Sequence, residues 1–86
     1  MIVDNRFRVE VINKGDSYGR NNVLTHDKDD QLVEFWDTKY DQFISRYYKS
    51  TLLDRNYGGL ILYGGEPEWT VSAEGMDQVI EMLRAL

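Results

Sequence analysis

The segment SAEGMDQVIEMLRAL, residues 72–86, has the clearest structural pattern in the sequence. Its apolar residues recur at helical spacing and predict one amphipathic face: Met76, Val79, Ile80, Leu83 and Leu86. Ser72 is suited to cap the helix, because its hydroxyl can accept a hydrogen bond from an amide of the first turn. Gly75 is expected to weaken that turn by up to about 1 kcal/mol. So short a helix is marginal alone, and we therefore predict that it docks on a β-sheet.

The chain before this helix predicts the sheet. Residues 6–11 alternate strictly between apolar and polar, as in a strand with one buried face. Residues 32–37 are rich in β-formers and apolar on both faces, which indicates a strand covered on both sides or at an interface. Three shorter pieces complete the prediction: a possible edge strand at 23–25, a buried strand at 60–63 and an extended piece at 69–71. The fold class is thus α+β, a mostly antiparallel sheet of four to five strands with the C-terminal helix packed on one face.

The segment Phe43–Leu53 is ambiguous. As a strand it places Ile44 and Tyr48 on one face with Arg46 between them, and as a helix it aligns Phe43 with the two tyrosines. Adjacent tyrosines and β-branched residues favour the strand.

Composition indicates one globular domain over residues 1–86. Of the 86 residues, 42% are apolar and 13% aromatic, and so short a chain has material for a single core. The absence of cysteine excludes disulfides and thiolate metal sites and favours the cytoplasm. We see no secretory signal, and no apolar run approaches the roughly 20 residues of a membrane span.

The net charge of −5 is unevenly distributed, since residues 56–86 carry five acids against Arg84 alone. Such a surface repels phosphates, so general nucleic-acid binding is not expected. If the protein has an electrostatic partner, the acids of this segment are the expected contact: Glu66, Glu68, Glu74, Asp77 and Glu81.

Candidate catalytic and ligand motifs fail on spacing or context. Residues 15–20 have three residues between their glycines, whereas a phosphate loop needs four and then lysine with serine or threonine. An EF-hand counted from Asp27 lacks the glycine at its sixth position and the acid at its twelfth. His26 is the only histidine, so acid–base catalysis by a histidine would depend on it alone. Glu34 and Asp37 would point to opposite faces of a strand, which argues against a catalytic pair of carboxylates. We therefore predict no catalytic, cofactor-binding or metal-binding residue, and no cofactor.

Aromatic residues and cations are interleaved near the middle of the chain. Arg46, Tyr47 and Tyr48 are consecutive, and Trp36 is close in sequence. Such residues are typical of protein-binding hot spots and of surfaces that stack nucleic-acid bases. They are equally compatible with an ordinary core in which Arg46 pairs with an acid.

Several segments resemble a group of small bacterial and prophage-type proteins. They are Glu34-Phe35-Trp36-Asp37, then 42–48, 59–62 and 64–69, so the resemblance covers roughly residues 30–86. In that group the residue before Gln-Phe tends to be glycine, whereas this chain has Asp41. The resemblance implies a small accessory protein and transfers no site residue, because no activity is established for the group.

These observations predict a non-enzymatic accessory or protein-interaction module, phage-related, whose partner is another protein or a second copy of the chain. Two alternatives stay open. One is an acidic inhibitor that mimics nucleic acid. The other is a small-ligand-binding domain with a pocket among Trp36, Tyr47, Tyr48 and Trp69. If the partner is a second copy of the chain, we expect the two copies to meet through strand 32–37.

Overall fold

The computed structural model describes residues 1–13, 31–54, 58–62 and 69–86. In chain order they form β1 (Ile2–Val3), β2 (Phe7–Asn13), β3 (Gln31–Asp37), β4 (Gln42–Tyr48), α1 (Lys49–Leu53), β5 (Gly59–Ile61), β6 (Thr70–Ser72) and α2 (Ala73–Arg84). The edge strand predicted at 23–25 lies outside these residues.

The described strands form two antiparallel sheets. The larger has the order β1-β2-β3-β4, and the smaller pairs β5 with β6. The α+β class and the C-terminal helix are thus confirmed. The two C-terminal strands pair with each other, whereas the sequence was consistent with a single sheet.

The prediction of a buried strand at 60–63 was wrong in part. The strand spans Gly59–Ile61, and the Ile61 side chain is 66% exposed while Leu62, just beyond it, is buried. Because a two-stranded ribbon has one open face, an apolar run within it is not covered on both sides. Gly59 has a φ of +146°, a conformation that favours glycine.

The segment Phe43–Leu53 divides at Tyr48. The strand is confirmed up to that residue, and the prediction was wrong for 49–53, which are helical. The amino end of α1 has no side-chain cap, and its first turn has no acid. Packing therefore explains α1 better than local signals do, since Leu52 is fully buried where α1 meets β3, β4 and α2.

A β-bulge in β4 overturns the predicted face of Ile44. Ser45 pairs with Phe35 and Phe43 pairs with Trp36, which leaves Ile44 as an extra residue. The bulge interrupts the alternation, so Ile44 and Ser45 are both buried. Ile44 therefore does not share a face with Tyr48, as a regular strand would require.

The core lies between the inner face of the large sheet and α2. It contains residues of every strand from β1 to β4, three residues of the predicted stripe of α2, one residue each from α1 and β6, and the residue just after β5: Val3, Phe7, Val9, Val33, Phe35, Ile44, Leu52, Leu62, Val71, Met76, Val79 and Leu83. Leu86 was predicted in this stripe but is 62% exposed, because α2 ends at Arg84. The two-sided character of strand 32–37 is confirmed, since Leu32 and Glu34 are buried as well as Val33 and Phe35.

The amino end of α2 is capped as predicted, and the cap is extended by a distant residue. The Ser72 hydroxyl accepts a hydrogen bond from Gly75 N at 2.9 Å. Asp4 in turn accepts from Ser72 N and Ser72 Oγ, both at 2.7 Å. A Cβ on residue 75 would lie 2.8 Å from Asp4 Oδ1 and 2.9 Å from Val71 Cγ1, so glycine is needed for this close approach. In the described ranges, neither helix has both the length and the apolar character of a membrane span.

Candidate interaction surface

The outer face of the large sheet brings two arginines and two aromatic rings into one row. Because Phe7, Val9 and Phe35 face the core, the alternate residues of β2 and β3 point outward. Arg8 pairs with Trp36 across β2 and β3, and Trp36 pairs with Phe43 across β3 and β4. Arg46 follows along β4. We call the row Arg8, Trp36, Phe43 and Arg46, together with Glu34 beneath it, the Trp36 face.

Glu34 fixes two members of this face. Its side chain is 9% exposed, and each carboxylate oxygen has its own donor. Trp36 Nε1 donates to Oε1 at 3.3 Å, while Arg46 donates to Oε2 from Nε at 3.3 Å and from Nη2 at 3.2 Å. A nearly buried carboxylate needs such partners, because an unpaired buried charge is costly.

The cations of the face stack on its rings. The Arg8 guanidinium carbon lies 5.0 Å from the Trp36 ring centroid, and that of Arg46 lies 4.6 Å from the Phe43 centroid. The two rings meet edge to face, with centroids 5.5 Å apart and planes at 76°. Both distances to the cations are within the range of cation–π attraction. The two rings therefore lie between the two cations, and each side chain of the row contacts its neighbour.

Charges on the face nearly cancel. Arg8 Nε lies 2.8 Å from Glu10 Oε1, and Arg8 Nη1 lies 3.4 Å from Asp41 Oδ1. With the Arg46–Glu34 pair, the ion pairs among the described residues set two cations against three acids. Trp36 and Phe43 are both half-buried, so each presents part of a ring to solvent. The surface is amphipathic with localised charges, which suits contact with a protein better than contact with a polyanion.

The structure brings together some of the predicted site residues and separates others. Trp36 and Arg46 meet at Glu34, and Tyr48 lies on the same face, opposite Leu32. Tyr47 is on the inner side, where its ring meets the Phe35 ring edge-on at 5.8 Å. Glu66 and Glu68 lie outside the described residues.

The four aromatics of the suggested ligand pocket do not line one cavity. Trp36 is on the outer face and Tyr47 on the inner face. Trp69 is engaged elsewhere, since its Nε1 donates to Asp37 Oδ2 at 2.9 Å. The geometry of these side chains therefore gives no support to that alternative.

Sequence reasoning missed Arg8 and Phe43 as members of the face. The alternation of residues 6–11 placed Arg8 in solvent, but nothing local indicates that it lies beside Trp36. That neighbourhood depends on the pairing of β2 with β3, strands joined by a long connection. The position of Phe43 depends on the bulge at Ile44, which has no sequence signal of its own.

Asp37 is buried on the inner side and acts as a structural anchor. Its carboxylate accepts from Arg6 Nη2 at 2.8 Å, from Trp69 Nε1 at 2.9 Å and from Lys39 N at 2.9 Å. The hydrogen bond from Arg6, assisted by that from Trp69, lowers the pKa of Asp37 to about 2 although burial opposes the shift. The group therefore remains ionised at neutral pH and links β3 to the starts of β2 and β6.

Within the described ranges, no three acidic or histidine side chains converge as they would around a metal ion. Comparisons with protein-family models, with curated proteins and with solved structures found no match. The resemblance to prophage-type proteins therefore stays a prediction.

Proposed function

We propose that this protein is a non-enzymatic accessory module that binds another protein through the Trp36 face. The observation that carries the proposal is the row in which Arg8 and Arg46 stack on Trp36 and Phe43. Tryptophan and arginine are the residues most enriched in binding hot spots.

The rigidity of the face supports the same proposal. Trp36 and Arg46 share the Glu34 carboxylate, so both side chains have lost rotamer freedom before a partner arrives. Ordering a long side chain at an interface costs about 0.5–1.5 kcal/mol, and a surface ordered in advance avoids most of that cost.

The test compares binding by matched variants of the full chain. The tagged protein and the variants Trp36→Ala and Arg46→Ala are used to capture partners from a native lysate, and the captured protein is then titrated against each in purified form. Ile61→Ser and Arg84→Ala are the controls, because they remove an exposed apolar residue and an exposed arginine elsewhere. We expect Trp36→Ala and Arg46→Ala to weaken binding at least tenfold and the controls to leave it unchanged.

Two results would contradict the proposal. One is a partner whose affinity is unaffected by Trp36→Ala and Arg46→Ala when circular dichroism shows both variants folded. The other is a partner that binds equally well after both substitutions are combined but is lost with Arg84→Ala, which would move the site to α2.

The nucleic-acid-mimicking alternative rests on a different surface. Glu74, Asp77 and Glu81 are exposed on the outer side of α2, as the sequence predicted. Competition between this protein and a duplex DNA for a captured partner would support the alternative, especially if Asp77→Asn with Glu81→Gln abolished it. Self-association, the third possibility, would appear as a concentration-dependent mass in sedimentation.

A further inference from the structure

We propose that a cavity beside β4 receives a tyrosine side chain of the partner protein, with its ring against apolar residues of β4 and its hydroxyl on Ser45. The inference rests on the proposed function and adds the chemistry of one group that the partner presents. Two observations carry it: a buried serine hydroxyl without a partner, and a cavity of suitable size that borders the Trp36 face.

The hydroxyl of Ser45 is unusual for its position. Ser45 pairs with Phe35, a core residue, so its side chain is on the inner side of the sheet. Ser45 is 8% exposed, and within the described ranges its Oγ atom is buried and has no hydrogen-bond partner. A buried hydroxyl that stays unpaired destabilises a fold, whereas alanine in the same place does not. A ligand that supplies the missing hydrogen bond removes this disadvantage.

The cavity lies at the β-bulge. In a regular strand Ile44 and Ser45 would point to opposite faces, but the extra residue leaves both of them buried. The cavity has a volume of about 310 Å³, and the described residues that line it are consecutive in β4: Phe43, Ile44, Ser45, Arg46 and Tyr47. Serine has a single side-chain torsion, so its hydroxyl can turn towards a group that enters the cavity.

Size and polarity define the occupant. A volume of about 310 Å³ is at the lower end of the range of ligand pockets, so the cavity has room for one ring-sized group. Phe43, Ile44 and Tyr47 provide an apolar wall. Arg46 is paired with Glu34 at 3.2 Å, so a charged occupant would be buried without a counter-ion of its own. The occupant is therefore an uncharged ring with one polar group.

Tyrosine matches this description better than the other aromatic residues. A phenol hydroxyl both donates and accepts, so it can pair with Ser45 in either sense, whereas the indole nitrogen of tryptophan only donates and phenylalanine has no polar group. Tyrosine is also among the residues most enriched in binding hot spots.

The position of the cavity links it to the proposed interface. Phe43 and Arg46 belong to the Trp36 face and also line the cavity. A partner that covers the rings of the Trp36 face therefore reaches the cavity as well. Hot-spot residues of one protein typically fill well-packed pockets of the other, which is the role that we assign to the tyrosine.

The first test uses analogues of side chains and the full-length protein labelled with ¹⁵N. p-Cresol is the side chain of tyrosine, toluene is the same ring without the hydroxyl, and 4-methylbenzoate carries a negative charge in its place. Amide chemical shifts are followed in each titration. We expect p-cresol to shift the amides of residues 43–47 and to bind at least tenfold more tightly than the other two compounds. The reason is that toluene leaves Ser45 unpaired and 4-methylbenzoate must bury its charge.

Variants assign the effect to the hydroxyl. Ser45→Ala should remain folded and bind p-cresol and toluene equally. Thr70→Ala, which removes an exposed hydroxyl of β6, is the control and should retain the preference for p-cresol. A preference that survives Ser45→Ala would overturn the inference. So would equal binding of p-cresol and toluene by the wild type, or shifts confined to residues outside 43–47.

The captured partner separates this inference from the proposed function. We expect Ser45→Ala to weaken its affinity at least tenfold, and saturating p-cresol to compete with it. If binding of the partner depends on Trp36 but responds to neither Ser45→Ala nor p-cresol, the inference fails while the proposed function stands. If p-cresol binds at Ser45 without competing with the partner, the cavity takes a free phenol and the assignment to the partner is overturned.

Discussion

Asp4 holds the amino end of the C-terminal helix through Ser72, 68 positions later in the chain. Both carboxylate oxygens of Asp4 accept from Ser72, and the Ser72 hydroxyl passes the interaction on to Gly75 N. The first hairpin and the last helix are therefore joined by a polar contact as well as by the core. This contact explains why a glycine, the least favourable residue but proline for a helix, stands in the first turn of α2.

Loss of the Asp4 carboxylate should destabilise the protein. We expect Asp4→Ala to lower the free energy of unfolding by about 1–2 kcal/mol, because it removes two hydrogen bonds that support the helix cap. Asp4 also has a φ of +56°, so Asn5→Ala, at a neighbour with a φ of +53°, is the control for the backbone effect alone. Urea unfolding measures all three proteins. A loss no greater than that of Asn5→Ala would show that the contact with Ser72 contributes nothing.

Replacement of Gly75 by alanine should destabilise the protein, whereas the same substitution usually stabilises a helix. Gly75→Ala would gain about 1 kcal/mol in an unobstructed helix. Here we expect a net loss of about 1–2 kcal/mol, because the new Cβ would meet Asp4 Oδ1 at 2.8 Å and Val71 Cγ1 at 2.9 Å. In an Asp4→Ala background the loss should shrink, and this non-additivity is the decisive measurement. A stabilising Gly75→Ala would refute the close approach.

Asp37 should make stability depend on pH in the acid range. Its pKa falls from 3.8 to about 2 on folding, so its contribution is fully present above about pH 4 and is lost as the pH falls towards 2. Arg6 is 23% exposed and solvent weakens the pair, so we expect the contribution to be about 1–2 kcal/mol. The difference in unfolding free energy between wild type and Asp37→Asn should therefore be larger at pH 6 than at pH 2. Asp77→Asn, at an exposed position, is the control for the loss of one charge. If the difference in unfolding free energy between wild type and Asp37→Asn does not change with pH, the lowered pKa of Asp37 is contradicted.

The turn between β3 and β4 should prefer glycine at position 41. Asp41 has a φ of +50°, which costs an ordinary residue about 1–2 kcal/mol and glycine nothing. We expect Asp41→Gly to be more stable than Asp41→Ala by about 1 kcal/mol in thermal unfolding. Asp54 is the control, since its φ is −86° and glycine should have no advantage over alanine there.

The elements that sequence could predict are those determined by local pattern. Periodicity placed the buried face of α2 correctly except for Leu86, and alternation did the same for β2. The strand Ile2–Val3 was missed because two residues carry no periodicity, and it is held by pairing with β2. The Trp36 face was half predicted: Trp36 and Arg46 were candidates, but the carboxylate that joins them and the ring beside them depend on strand register, which is a long-range property.

The placement of the core has a consequence for the order in which the protein folds during synthesis. The apolar inner face of the large sheet packs against α2, whose residues follow all four strands of that sheet in the chain and therefore leave the ribosome after them. Until then Val9, Val33 and Phe35 lack the cover that α2 provides, and Asp4 lacks its partner Ser72. Contacts that close so large a sequence separation form late. A nascent chain stalled before residue 69 should therefore expose apolar sheet surface and recruit chaperones, whereas a chain that has released residue 86 should not.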